Sequence, residues 1–221
     1  MHIKKKEAFS LRREKLSLGE ISNRLGVAKS TLSLWFKNEP SLESIKAELT
    51  AKNRAESKER LLVSHKTRQE KREAEYARAE DLASYEFPML MKNWLFCTGL
   101  AIYWGEGDKI SKYSIRVGNI DPDIIRLFVK FLQEICAVQK EKIKAWLLLY
   151  PDLNEETCKK FWKERAGLAE IQFNKSIFIT GRHKTRRVSH GVCYVGISSV
   201  LLKRKMLTWL RLLGSLEKTR A

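Results

Sequence analysis

The sequence predicts an α+β protein in three parts: a small helical N-terminal unit, a long helical connector and a C-terminal mixed α/β body. Three observations carry this reading. Residues 17–38 have the apolar spacing of two short helices folded about Gly26. From Ser41 to about Tyr85 the chain is rich in Ala, Glu, Lys and Arg and holds no Gly or Pro, a composition that favours helix. Beyond Pro88 helical and strand-like runs alternate. At 221 residues there is room for one sizeable core and a small one. The expected boundaries are 1–40, 41–87 and 88–221.

The N-terminal unit starts with a helix over 5–16. Leu11 and Leu16 face its neighbours, and Lys4, Lys5, Lys6, Arg12 and Arg13 supply charge for phosphate contact. Leu18, Ile21 and Leu25 share one face of the next helix, and Val27, Leu32 and Trp35 provide the opposing surface. Gly26 stands where the chain leaves a helix and reverses, a place that often needs positive φ. Lys29, Ser30, Ser33 and Lys37 then point outward, small and cationic groups suited to a major groove. This stretch resembles the helix-turn-helix family, with Ser22 where that family prefers a small residue. The resemblance implies DNA binding, with Lys29, Ser30, Ser33, Leu34 and Lys37 on the groove-facing side. Pro40 followed by Ser41 closes the unit.

In the connector, Glu43 with Lys46 and Glu56 with Arg60 offer helix-spaced ion pairs. Apolar residues are sparse and no heptad persists for three repeats, so it reads as a solvated spacer rather than an oligomerisation rod. Unbroken, such a helix spans roughly 60 Å.

The body is expected to open with a helix over 92–105 and a strand over 113–120, with Ile115 and Val117 facing one way and Arg116 the other. Asp121-Pro122-Asp123 starts a helix to about residue 136, its inner face formed by Ile124, Leu127, Phe128, Phe131 and Leu132. A strand over 142–150 and a helix over 154–166 stopped by Gly167 follow. Strands over 170–180 and 192–198 flank a basic loop, and a helix over 200–213 ends the body.

Charge agrees with a nucleic-acid partner. Lys and Arg total 43 against 26 acids, a formal net charge of +17. Nine bases and four acids fall in 1–40, ten and ten in 41–87, and twenty-four and twelve in 88–221, so two basic bodies flank a neutral connector. Cys97, Cys136, Cys158 and Cys193 lack metal-binding spacing and read as reduced core thiols. No signal-peptide core or bilayer-spanning run is present, so a soluble, cytoplasmic, DNA-associated protein with no membrane partner is expected.

The segment Thr98-Gly99-Leu100-Ala101-Ile102-Tyr103-Trp104-Gly105-Glu106-Gly107-Asp108 is the second informative stretch. Thr98, Ala101 and Gly105 form a stripe with almost no side-chain volume, which lets two helices approach closely. Glu106 follows between two glycines at a helix C-terminus, where the dipole disfavours a carboxylate. Two such acids, one from each helix of a close pair, can hold divalent cations beside a DNA backbone. The flanking glycines are expected to keep the backbone around Glu106 open. Asp108 reads as a turn residue.

Gly99 through Gly107 resembles the LAGLIDADG signature of homing endonucleases, with Glu106 at the position of its final catalytic acid. The likeness covers about residues 93–213, including Asn119-Ile120-Asp121-Pro122. Ala101 replaces the family's first Gly and Trp104 its first Asp, and a single strand rather than a hairpin follows the signature helix. A single signature implies a homodimer meeting through Thr98, Ala101 and Gly105 around a two-fold axis, with Mg²⁺ or another divalent cation on Glu106. It also implies that strand residues Arg116, Lys142 and Lys144 meet double-stranded DNA. Arg182, Lys184, Arg186 and Arg187 would lie on phosphates, and Lys175 would polarise the water or the phosphate. The expected function is a site-specific homing-type DNA endonuclease. The alternative is a transcriptional regulator with an inactive body of the same shape. A weaker third reading is a recombinase accessory protein.

Overall fold

Three short helices open the chain: α1 (Ile3–Arg13), α2 (Leu18–Leu25) and α3 (Lys29–Phe36). The computed structural model describes residues 3–37, 39–179 and 188–216 and divides into two units, Met1–Lys71 and Arg72–Ala221. In the first unit Ala8, Leu11, Ile21, Leu25, Val27 and Leu32 form the core. Ser17 caps α2: its hydroxyl accepts the Glu20 N–H at 3.2 Å, and the Glu20 carboxylate accepts the Ser17 N–H at 2.7 Å. Gly26 ends α2 in the left-handed region, φ 63°, as the expected reversal requires. Arg12 departs from expectation. It is buried, its guanidinium donates to the Leu16 carbonyl at 2.8 Å and it lies over the Phe36 ring, so it closes the helical unit rather than reaching solvent. Burial pushes its pKa below the usual arginine value.

After a 3-10 turn at Pro40–Leu42, α4 runs from Glu43 to Leu90, 48 residues. Its residues up to Lys71 belong to the first unit and the rest to the second. Pro88 does not break it, contrary to the expected boundary there. Pro88 stands in the last turn, where the missing N–H costs one ladder bond, and the helix ends two residues later. The final turns of α4 are also more than a spacer. Ala83 and Phe87 are buried in the second unit's core, and the Trp209 indole donates to the Ala83 carbonyl at 3.2 Å. Glu80 pairs with Arg204 at 3.1 Å and Glu86 with Lys205 at 2.6 Å.

The second unit continues with α5 (Trp94–Glu106), β1 (Ser114–Asn119), α6 (Pro122–Lys130), β2 (Lys144–Leu149), α7 (Glu155–Ala166), β3 (Ile177–Phe178), β4 (Val192–Ser198) and α8 (Val200–Ser215). The sheet order is β1-β4-β2-β3, with β4 antiparallel to both β1 and β2, and β3 parallel to β2. The molecule is therefore α+β, helix-rich with a small mixed sheet. One sheet face, with Ile115, Val117, Ala145, Leu147, Leu149, Cys193 and Val195, is buried with Phe96, Leu100, Tyr103, Phe128, Trp162 and Trp209. Gly99 lets α5 close on the segment after α6, since a Cβ there would come within 2.2 Å of the Phe131 ring.

Two expected elements are redrawn. The helix after Asp121 is α-helical only to Lys130 and passes through a π turn, Phe131–Ile135. Its buried face contains Ile125 and Val129, while Ile124 is half-buried. Phe131 and Leu132, three and four residues after Phe128, also face inward. The strand expected over 170–180 shrinks to Ile177–Phe178 because a 3-10 turn takes Glu170–Gln172. The buried Gln172 amide fixes that turn: it donates to the Lys140 and Ile143 carbonyls and accepts the Ala169 N–H. All four cysteines are free thiols, with Cys158 and Cys193 buried. Among the described residues no helix is long and apolar enough to cross a membrane.

Candidate nucleic-acid interface

The register of β1, β4 and β2 builds the outer sheet face row by row. Arg116 pairs with Gly196, which pairs with Lys144, so two cations flank a residue without a side chain. The next row is Gly118, Tyr194 and Trp146. Both glycines are required by contact. A Cβ on Gly196 would lie 2.3 Å from the Ile115 carbonyl oxygen, and one on Gly118 would lie 2.3 Å from the Tyr194 ring. Tyr194 and Trp146 stack with centroids 5.5 Å apart and planes within 7°.

A cleft of about 640 Å³ opens over the first row, lined by Arg116, Lys142, Lys144, Trp146 and Asn174 among others. No carboxylate lines it among the described residues. Lys142 reaches it from a 3-10 turn, Lys140–Lys142, and not from the strand expected to carry it. Lys144 is half-buried and donates to the Ile171 carbonyl at 3.3 Å. A row of cations on an open sheet face suits a polyanion.

Glu106 ends α5 at the border of this face. Gly107 bridges to Val117 of β1, and a hollow of about 330 Å³ is lined by Glu106, Asp108, Lys109, Arg116 and Tyr194. Arg116 thus lines both hollow and cleft. The Glu106 carboxylate is exposed and carries no ion pair among the described residues. Its glycine neighbours differ. Gly105 faces open space, whereas a Cβ on Gly107 would strike the Tyr103 carbonyl oxygen and ring at 2.3 Å, so Gly107 serves close packing and not openness.

Asp108 is committed to the turn. One carboxylate oxygen accepts the Ile110 and Ser111 N–H groups at 3.0 Å, and the other lies 3.1 Å from Arg116 Nε. The Ser111 amide first, then Ile110, Arg116 and Lys203, hold its carboxyl below the usual carboxylate range. A depressed folded-state pKa means that this stabilisation is present above about pH 4 and is lost as pH falls through the folded value. Asp108→Asn is therefore expected to lower the urea midpoint at pH 7. Repeated urea titrations at falling pH should show the gap to wild type closing below about pH 4.

Under this turn lies a residue that sequence reading missed. Lys203 of α8 is 1% exposed, and its ammonium donates to the Tyr103 hydroxyl at 2.7 Å, the Ser114 carbonyl at 3.0 Å and the Asp108 carbonyl. It ties α8 to the end of α5 and the start of β1. Burial pushes its pKa down, and Asp108 acts in the opposite direction. The signal was available: Lys203, Met206 and Leu210 share the i, i+3, i+7 stripe that faces the core.

Lys175 does not join Glu106. It precedes β3, at the opposite edge of the sheet from β1, three strand spacings or roughly 14 Å away. Arg182, Lys184, Arg186 and Arg187 lie outside the described residues. On α5, Ala101 and Gly105 are exposed and Thr98 half-buried, and Trp94 and Trp104 of the same helix are also exposed. In the first unit Lys29, Ser30, Ser33, Leu34 and Lys37 are all exposed along α3, Leu34 by 71%.

A divalent cation fits the chemistry of Glu106, an unpaired hard oxygen donor. Among the described residues no three His, Cys, Asp or Glu gather within one chain. Further ligands for an ion there would come from phosphate, water or a second copy. No protein-family model, curated protein or solved structure matches the chain.

Proposed function

We propose that this chain is a homodimeric, divalent-metal-dependent DNA endonuclease of the LAGLIDADG homing type with a helix-turn-helix unit at its N-terminus. One observation carries the reading: a free carboxylate, Glu106, at the rim of a cationic and aromatic sheet face that shares Arg116 with it. Arg116, Lys142 and Lys144 bind the backbone of the duplex, with Trp146 beside them in the cleft and Tyr194 in the adjoining hollow. Glu106 from each protomer would hold Mg²⁺, which when bound would supply an activated water and charge stabilisation for the leaving oxygen. Lys203 acts through the turn, as a positioning residue that keeps the α5 terminus against β1. The exposed α3 face reads bases in the groove, with Lys29 and Lys37 on bases or phosphates.

The test is selection of duplexes from a random DNA pool by the full chain, with and without Mg²⁺. Double-strand cutting of the selected sites supports the reading. Tight binding without cutting under every divalent ion tried would make the protein a regulator of the same architecture.

The dimer has its own test. Gly105 faces open space within one chain, so Gly105→Leu leaves the protomer fold intact while overfilling the ridge. Sedimentation equilibrium is expected to show a dimeric wild type and a variant whose dimer dissociates at least about tenfold more readily. A variant that dimerises as tightly as wild type would place the contact elsewhere.

A further inference from the structure

The start of α4 has the composition of a spacer, yet one face of it shares a cleft with α3. Lys46, Leu49, Thr50 and Asn53 recur at helix spacing on that face. Together with Ser33 and Phe36 of α3 and Lys37 just after it they line a cleft of about 480 Å³. Its lining holds no carboxylate among the described residues. Lys37 stands on one wall and Lys46 on the other. Lys15, just after α1, reaches Glu48 at 2.8 Å, which shows that this stretch of α4 lies against the helical unit. Ser33 and Lys37 belong both to this cleft and to the exposed α3 face.

We propose that the first turns of α4 form the second wall of the DNA site. One strand's sugar–phosphate backbone lies in the cleft, with Lys37 and Lys46 on phosphates and the Asn53 amide donating to the same strand. A helix seated in a major groove has a phosphate strand along its flank, and the flank of α3 toward α4 is this cleft. Glu43 is the carboxylate nearest Lys46, at 3.1 Å, in an exposed pair that a phosphate can replace. The Thr50 hydroxyl is already spent on the Lys46 carbonyl, so it is not counted among the donors.

The inference rests on the reading of α3 as a DNA-binding helix, and the experiment separates the two. The full chain is titrated onto a 30-bp random-sequence duplex over a range of salt concentrations. Wild type is compared with Lys37→Ala, Lys46→Ala, Asn53→Asp and, as a control on α4 outside the cleft, Lys66→Ala. Lys46→Ala and Asn53→Asp are expected to weaken binding about five- to tenfold at low salt. Lys46→Ala should also reduce the slope of log affinity against log salt by about one, with Lys66→Ala unchanged. If Lys37→Ala weakens binding and Lys46→Ala does not, the α4 wall is wrong and the α3 reading stands. If Lys46→Ala and Lys66→Ala fall equally, the attraction is diffuse and the inference fails. No effect from any variant would sink the α3 reading itself.

Discussion

Replacing Glu106 by Gln is expected to abolish Mg²⁺-dependent cutting of the selected duplex, lowering the rate by at least about a hundredfold, while affinity stays within about twofold of wild type. The substitution keeps size and polarity and removes only the charge that a divalent cation needs. Glu106 is exposed and touches no ion-pair partner among the described residues, so the fold does not depend on it. Removing a carboxylate from a helix C-terminus also relieves an unfavourable dipole contact, so stability should hold or rise slightly. Cutting is followed on a supercoiled plasmid carrying the site, and affinity is measured in Ca²⁺. Retained cutting by Glu106→Gln would overturn the catalytic assignment even if the protein binds DNA well.

The largest stability effect is expected at Lys203. Lys203→Met fills the same space with an apolar chain but leaves the Ser114 carbonyl without its buried donor and removes one of two donors from the Asp108 carbonyl, which the Tyr103 hydroxyl still serves. An orphaned buried acceptor costs about 1–3 kcal/mol and the two other lost ammonium hydrogen bonds add to it, so a loss of about 3 kcal/mol is expected. Urea unfolding followed by tryptophan fluorescence reads it in the second unit, which holds five of the six tryptophans. The loss shows as a lower midpoint at unchanged slope. A change below about 0.5 kcal/mol would mean that the ammonium is not the tie holding this turn.

Much of this architecture is legible in chain order because the physics involved is local. The helix stops at Gly26 and Gly167 and the alternation of Ile115 and Val117 about Arg116 each depend on a few neighbouring residues. What failed also has a reason. Ile124 and Ile125 are adjacent and both apolar, so spacing alone does not choose between them, and the folded chain buries Ile125. The stretch over 170–180 has apolar residues enough for a strand, but the buried Gln172 amide satisfies three partners by bending the chain. Arg12 looked like a solvent-facing cation because local pattern cannot tell that α3 brings the Phe36 ring above it.

The candidate sites divide in the same way. Sequence alone marked out the exposed α3 face, the acid at the end of α5 and the small-residue ridge, since each lies within three helical turns. Only the folded chain set Arg116 and Lys144 on either side of Gly196, because that row exists through the pairing of β4 with two strands distant in sequence. Only the folded chain slid Lys203 beneath the Asp108 turn, joined Lys46 to Lys37 across a cleft and moved Lys175 to the far edge of the sheet. Helix faces follow from bond geometry repeated every few residues. Which of them meet is fixed by strand register and side-chain packing, and these involve residues a hundred or more positions apart, as in Lys203 and Tyr103 or Trp209 and Ala83.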